Sequence, residues 1–130
     1  MRGVEPERIS AVRNYNPYTR GRRFEYRTRD YLRKLGWFVI RQSKSSFPDL
    51  IALRYGSILL IECKVNGYMP PAERRRIVSL ARRQVGGTPI LAFRKGHELL
   101  LSELSSRRAR LHKPFDAQVE CDRGYDQCAR

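Results

Sequence analysis

The chain has 130 residues, with 27 Lys plus Arg against 13 Asp plus Glu and a formal net charge of +14. That length suits one domain with some tail. No apolar run reaches bilayer length and Met1-Arg-Gly-Val-Glu-Pro-Glu-Arg8 lacks a signal-peptide core, which argues against a membrane-spanning or secreted protein and leaves a soluble, cytoplasmic one with no membrane partner as the expectation.

So positive a field, with a pI near 10.5, recruits polyanions, and nucleic acid is the commonest of these inside a cell. Arginine outnumbers lysine, and its planar fork suits bidentate phosphate contact. Cys63, Cys121 and Cys128 are odd in number and have no C-x-x-C spacing, which argues against both a zinc site and a secreted disulfide framework.

Residues 1–19 hold prolines and asparagines without periodicity and read as a basic N-terminal arm. Helix signals begin near Arg20-Gly21. Phe24, Thr28, Tyr31, Leu32 and Leu35 share one helical stripe, and Gly36 supplies the stop. Glu25 lies at the edge of that stripe among Arg22, Arg23, Arg27 and Arg29. Two readings stand side by side for it: an acid that favours the helix N-terminus, or a side chain that reaches a site. Trp37-Phe-Val-Ile40 is a strand delivering Arg41, and the polar loop Gln42-Ser-Lys-Ser-Ser-Phe-Pro48 follows.

Two apolar strands come next, Leu50–Arg54 and Ser57–Cys63, separated by Tyr55-Gly56. A two-residue hairpin turn there opposes Arg54 to Ser57, and the same register opposes Asp49 to Glu62 with Cβ atoms roughly 5 Å apart. Strand period puts Lys64 on the face of Glu62. Two opposed carboxylates at the end of an apolar hairpin repel each other, and a divalent cation would remove that cost. The pattern reads as a metal site with a lysine beside it. The plainer reading is two acids that end their strands in solvent.

After the loop Asn66–Pro71, a second helix starts at Pro70-Pro71, with Glu73 in its first turn and Gly86-Gly87 at its end. Ile77, Leu80, Ala81 and Gln84 form its inner stripe, helped by Val78 and Val85. Arg74, Arg75 and Arg76 near its positive end read either as a phosphate-contacting surface or as a solvated basic face. Ile90–Phe93 and Glu98–Leu101 are two further short strands around Lys95-Gly96-His97. Residues 105–130 lose periodicity and read as a C-terminal tail. The order αβββαββ predicts an α/β or α+β domain over residues 20–104, a mixed sheet of about five strands flanked by helices.

From Gly21 to Leu104 these residues resemble the archaeal-type Holliday junction resolvases, within the restriction-endonuclease-like PD-(D/E)xK nuclease superfamily. The resemblance rests on Gly21-Arg-Arg-Phe-Glu25, Gly36-Trp-Phe-Val-Ile-Arg41, Ser45, Pro48-Asp49-Leu-Ile-Ala-Leu53, Ile61-Glu62-Cys-Lys64 and Gly86-Gly87. The Pro-Asp…Glu-x-Lys core is common to the superfamily, and the other pieces narrow the match to the resolvase branch. The loop from Arg41 to Pro48 is shorter than is usual in that family and lacks its basic run, which fits a viral or divergent member and leaves Ser43, Ser45 and Ser46 all open for the loop serine. Ser45 is chosen for its four-residue spacing from Arg41.

The resemblance implies a restriction-endonuclease-like fold and a homodimer that resolves four-way DNA junctions by paired nicks. It makes Asp49 and Glu62 metal-site acids with Glu25 joining them directly or through water, Lys64 a catalytic lysine that orients the nucleophilic water or stabilises phosphate charge, and Ser45 a phosphate contact. Mg²⁺, with Mn²⁺ as a substitute, takes oxygen ligands, and the Cys63 main-chain carbonyl would be one of them. A cation near Lys64 would lower its pKa toward that of a proton acceptor. Arg20, Arg22, Arg23, Arg41, Lys44, Arg74 and Arg75 would contact DNA. The expected location is the nucleoid, or the host cytoplasm for a viral member. Two other readings remain: a repair or restriction-type nuclease for flap or duplex DNA, and a non-catalytic nucleic-acid-binding module.

Overall fold

A computed structural model of the chain describes residues 17–43, 46–105 and 113–118. Helix α1 covers Pro17–Lys34 and begins a few residues before the Arg20 that the pattern suggests; the fixed φ of Pro17 suits a first helical turn. Its inner stripe buries Phe24, Thr28 and Leu32. Thr28 Oγ1 donates to the Phe24 carbonyl at 2.8 Å, so the one polar member of the stripe goes into the core already satisfied.

The sheet has six strands in the spatial order β1-β2-β3-β4-β5-β6. These are β1 (Phe38–Arg41), β2 (Leu50–Arg54), β3 (Ser57–Cys63), β4 (Thr88–Lys95), β5 (Glu98–Glu103) and β6 (Lys113–Pro114). The turn between β2 and β3 has positive φ at both central residues, 45° at Tyr55 and 81° at Gly56. That is the requirement of a type I′ hairpin, whose twist matches its strands. The expected register follows, from Arg54 opposite Ser57 up to Leu50 opposite Ile61. β3 and β4 are the one parallel pair among the described strands. A parallel pair needs a crossover, which helix α2 (Pro71–Ser79) and the π-helical turn Leu80–Val85 provide.

The helices lie on opposite faces of the sheet. Phe24, Leu32 and Trp37 pack with Leu50, Ala52, Leu59 and Ile61 on one side. Ile77, Val78 and Ala81 pack with Leu60, Leu91 and Leu104 on the other. Alternation along β2 and β3 thus sends odd positions of β2 and even positions of β3 toward α2.

The structure corrects one sequence expectation and extends two others. The stripe of the second helix ends at Ala81, and Gln84 and Val85 are exposed; the π turn takes more residues per turn, so a 3.6-residue period overshoots it. Among the described residues the sheet has six strands, one beyond the five that the pattern places. The sixth comes from the segment read as tail, where Phe115 N–H donates to the Leu101 carbonyl at 3.0 Å and Trp37 Nε1 donates to the Ala117 carbonyl at 3.1 Å. The packed part of the domain therefore reaches residue 118. Cys121 and Cys128 lie outside the described residues.

The Gly86-Gly87 pair has two separate jobs. Gly86 ends the π turn in the left-handed region at φ 75°. A Cβ on Gly87 would stand 2.7 Å from the Ile58 carbonyl oxygen, so only glycine lets the chain enter β4 beside β3.

Candidate active site

The C-terminal ends of β1, β3 and β4 lie at one end of the sheet, together with the start of β2 and the first turns of α1 and α2. The expected acids gather at this end. Asp49 sits one residue before β2, beside the end of β3, and the two strands cross-bond through these acids. Glu62 Oε1 accepts from the Asp49 N–H at 3.0 Å, and Asp49 Oδ2 accepts from the Cys63 N–H at 2.9 Å. One oxygen of each carboxylate is thus fixed by a backbone donor. Asp49 Oδ1 and Glu62 Oε2 have no hydrogen bond among the described residues. In a strand, a residue's N–H and C=O point toward the same neighbour, so the Cys63 carbonyl also faces the Asp49 side.

The electrostatics show strain that a cation would relieve. Burial first, and then the charge of Asp49, push the Glu62 carboxyl up to about 7. Burial likewise raises Asp49. Two hard oxygen donors, constrained and mutually repelling in a half-dry rim, match what Mg²⁺ or Mn²⁺ takes. The metal expectation fits Asp49, Glu62 and the Cys63 carbonyl.

Glu25 fits less directly. It projects from α1 and its Oε1 accepts from Arg41 Nε at 3.0 Å, while the Arg41 guanidinium also lies 4.7 Å from the Tyr26 ring centroid. Burial, then the Asp49 charge, raise its pKa, so it senses the pair across the strand ends. Among the described residues no three acids form a ready metal centre. Asp49 and Glu62 are the closely joined pair, and Glu25 stands beside them bonded to Arg41.

Lys64 is held by a residue that sequence reasoning placed only in a helix turn. Its Nζ lies 2.8 Å from Glu73 Oε1. Burial works against the charged ammonium, but the ion pair with Glu73 and the charges of Glu62 and Asp49 outweigh it and raise the pKa. Without a cation in place, its acidic neighbours favour the ammonium form of Lys64, which can donate to a phosphate oxygen; the expected lowering is the effect of a cation beside it. Glu73 carried no sequence signal beyond its first-turn position, because only the crossover of α2 brings it over the end of β3.

The loop between β1 and β2 continues their ladder, with Gln42 N–H donating to the Asp49 carbonyl at 3.0 Å. Ser43 and Ser46 hydroxyls lie 3.2 Å apart, and Ser45 and Lys44 lie outside the described residues. Of the expected DNA-contacting arginines, Arg22, Arg23 and Arg75 are exposed and Arg20 and Arg41 are half-buried at the site end. Arg74 departs from the expectation. It is 5% exposed and donates to the Ser105 carbonyl at 3.4 Å, because the first turn of α2 rolls it under the sheet edge. The outward position belongs to Arg75.

Comparison with known proteins gives concordant matches. Residues 16–125 match the family model described as archaeal Holliday junction resolvase (Hjc). Over 87 residues the chain is 34% identical to the crossover junction endodeoxyribonuclease Hjc of Methanocaldococcus jannaschii, covering 64% of this chain and 65% of that one. The match therefore spans slightly less than two thirds of that relative's length. The solved structure of Archaeoglobus fulgidus Hjc, a Holliday junction resolvase from an archaeal hyperthermophile, superposes with a TM-score of 0.56. That alignment is 24% identical and covers 75% of this chain and 84% of the other, a likeness of fold.

Proposed function

The chain belongs to the archaeal Holliday junction resolvase family, and from that premise we propose that it is a metal-dependent endodeoxyribonuclease that resolves four-way DNA junctions by paired nicks, acting as a homodimer. It has the restriction-endonuclease-like fold of that family. The observation that carries the activity is the reciprocal clasp at the strand ends, in which each acid holds the other strand's amide and keeps one oxygen unbonded. A protein that merely binds DNA has no use for a buried and a half-buried carboxylate repelling each other at the centre of a basic rim.

Asp49, Glu62 and the Cys63 carbonyl would hold the cation, and Mg²⁺ or Mn²⁺ bound there would supply a water of lowered pKa and neutralise phosphate charge. The protein's own groups supply the rest. Lys64, kept protonated by its acidic neighbours, donates to the oxygens of the scissile phosphate as charge builds there. Glu73 fixes the direction of that ammonium. Arg41, braced by Glu25 and Tyr26, offers its remaining donors to the neighbouring backbone. Glu25 acts through Arg41 and through its charge on Asp49. Ser45 would add a phosphate contact from the β1–β2 loop. Cleavage would leave 5′-phosphate and 3′-hydroxyl ends.

The test is a nicking assay on a mobile four-way junction, a linear duplex and a flap, with and without Mg²⁺. Symmetric nicks on the junction that vanish in Asp49→Ala or Glu62→Ala, with junction affinity kept within about threefold, are expected. Equal cleavage of all three DNAs would move the protein to the repair or restriction class. Wild-type cleavage by Asp49→Ala would remove the proposed site.

A further inference from the structure

Tyr26, Phe38, Tyr55 and Tyr68 each stand exposed, and their places in the fold separate them. Phe38 opens β1 and Tyr55 sits in the β2–β3 turn, both at the end of the sheet away from Asp49 and Glu62. Tyr26 lies beside the acids, but its ring already carries Arg29 at 4.9 Å and Arg41 at 4.7 Å from the centroid. Tyr68 is 64% exposed and belongs to the loop that leads from Lys64 into α2. Among the described residues no guanidinium covers either face of its ring.

The loop holds that ring in place. Gly67 N–H donates to the Lys64 carbonyl at 2.8 Å, which closes a turn directly after Lys64. Asn66 Oδ1 accepts from the Tyr68 N–H at 3.1 Å, an Asx turn that imitates a backbone one. On the other side Met69 is buried in the cluster under α2, and Pro70-Pro71 follow with fixed φ. The Tyr68 backbone is thus pinned on both sides while its ring projects into solvent. A closed turn keeps its end Cα atoms within about 7 Å, and the next Cα is about 3.8 Å on, so Tyr68 stands within about 11 Å of Lys64.

A pinned aromatic plane at that distance from the metal-site acids suits a nucleobase. Every base has a π face, so stacking on a tyrosine tolerates any sequence. It does require a base with a free face. Inside a continuous duplex both faces are covered, and pulling a base out costs at least as much as one aromatic contact returns. At a branch point a base has already lost a stacking neighbour, so the same contact is a net gain. Contacts to the phosphate backbone position DNA without reading its bases, so they do not supply this distinction.

We propose that Tyr68 is a base-stacking residue that receives a nucleobase left unstacked at the branch point and so helps to tell branched DNA from continuous duplex. The inference rests on the junction reading for its substrate and on the pinned, uncovered ring for its chemistry.

The test is binding in EDTA, where no cut is needed. Affinities of wild type, Tyr68→Phe, Tyr68→Leu and Tyr68→Ala are measured for a four-way junction and for a linear duplex with the sequence of two of its arms. The fluorescence of 2-aminopurine placed at the branch point reports stacking. Tyr68→Ala is expected to lose about tenfold in junction affinity and less than about twofold in duplex affinity. Its complex should also leave the 2-aminopurine brighter than the wild-type complex does. Tyr68→Phe, which keeps the plane, should match wild type, and Tyr68→Leu, which keeps bulk without a plane, should resemble Tyr68→Ala. Unfolding midpoints of all four should coincide, because the ring is exposed. Equal losses on junction and duplex, or a Tyr68→Leu that binds as wild type does, would overturn the proposal. So would a change of oligomeric state in Tyr68→Ala by sedimentation, which would assign the ring to a contact between copies. A wild type that binds junction and duplex alike would remove the junction reading and this one with it. A wild-type preference that survives intact in Tyr68→Ala would sink this one alone.

Discussion

Raising the pH from 5 to 8 in the absence of divalent cations should weaken the fold, and Glu62 should be the main reason. In the native chain burial, and then the Asp49 charge, push its carboxyl up to about 7 from the usual 4.5. Between those values the folded state keeps a proton that the unfolded state has lost, so stability is highest below 4.5 and falls as pH rises toward 7. A shift of that size at about 1.4 kcal/mol per unit gives a loss of about 3 kcal/mol, with a slope no steeper than about 1.4 kcal/mol per pH unit from this one group. Asp49 and Glu25 are raised as well, so they deepen the loss on its acid side. The raised Lys64 titrates above 10.5 and leaves this window untouched. Urea unfolding at half-unit pH steps measures it, with Glu62→Gln as the comparison, since the amide keeps an acceptor for the Asp49 N–H. The wild-type curve should decline across the window and the variant's should be flatter by about 3 kcal/mol. Adding Mg²⁺ at pH 8 should recover stability in wild type and much less in the variant. Parallel curves for the two proteins, or a wild-type stability that rises from pH 5 to 7, would refute the account of the acid pair.

Three further outcomes follow from the packing. Glu73→Ala removes a charge that raises both Glu62 and Lys64, so carboxyl titration followed by NMR should show the Glu62 midpoint move down from about 7. Gly87→Ala drives a methyl toward the Ile58 carbonyl, 2.7 Å away, and should cost about 1–3 kcal/mol by chemical denaturation, as other overpacked sites do. Trp37→Phe deletes the donor to the Ala117 carbonyl; it should cost about 1–3 kcal/mol and speed hydrogen exchange at residues 113–118 before the rest of the sheet.

The hairpin was legible in the sequence because it is governed locally. Tyr55-Gly56 can take two positive φ values, that turn fixes the register, and the register alone puts Asp49 against Glu62. The period of α1 was equally plain, since each turn repeats one buried stripe. Short-range rules failed where a distant segment decides. The π turn at Leu80–Val85 ends in Gly86 and Gly87, where β3 demands a close approach, and no helical period records that demand. The strand at Lys113–Pro114 is too short and polar to announce itself, and it exists because Leu101 and Trp37 offer partners to Phe115 and Ala117.

The site divides in the same way. Sequence by itself determined that two acids and a lysine share the end of a hairpin, because alternation and a tight turn leave no other arrangement. Tertiary structure alone gave Lys64 its ion-pair partner, by carrying Glu73 over it on the crossover helix. It also decided that Arg74 turns inward and that Glu25 on α1 is bonded to Arg41 at the end of β1. These are contacts between elements far apart in the chain, set by how helices pack on the two faces of a sheet, and no local pattern encodes them.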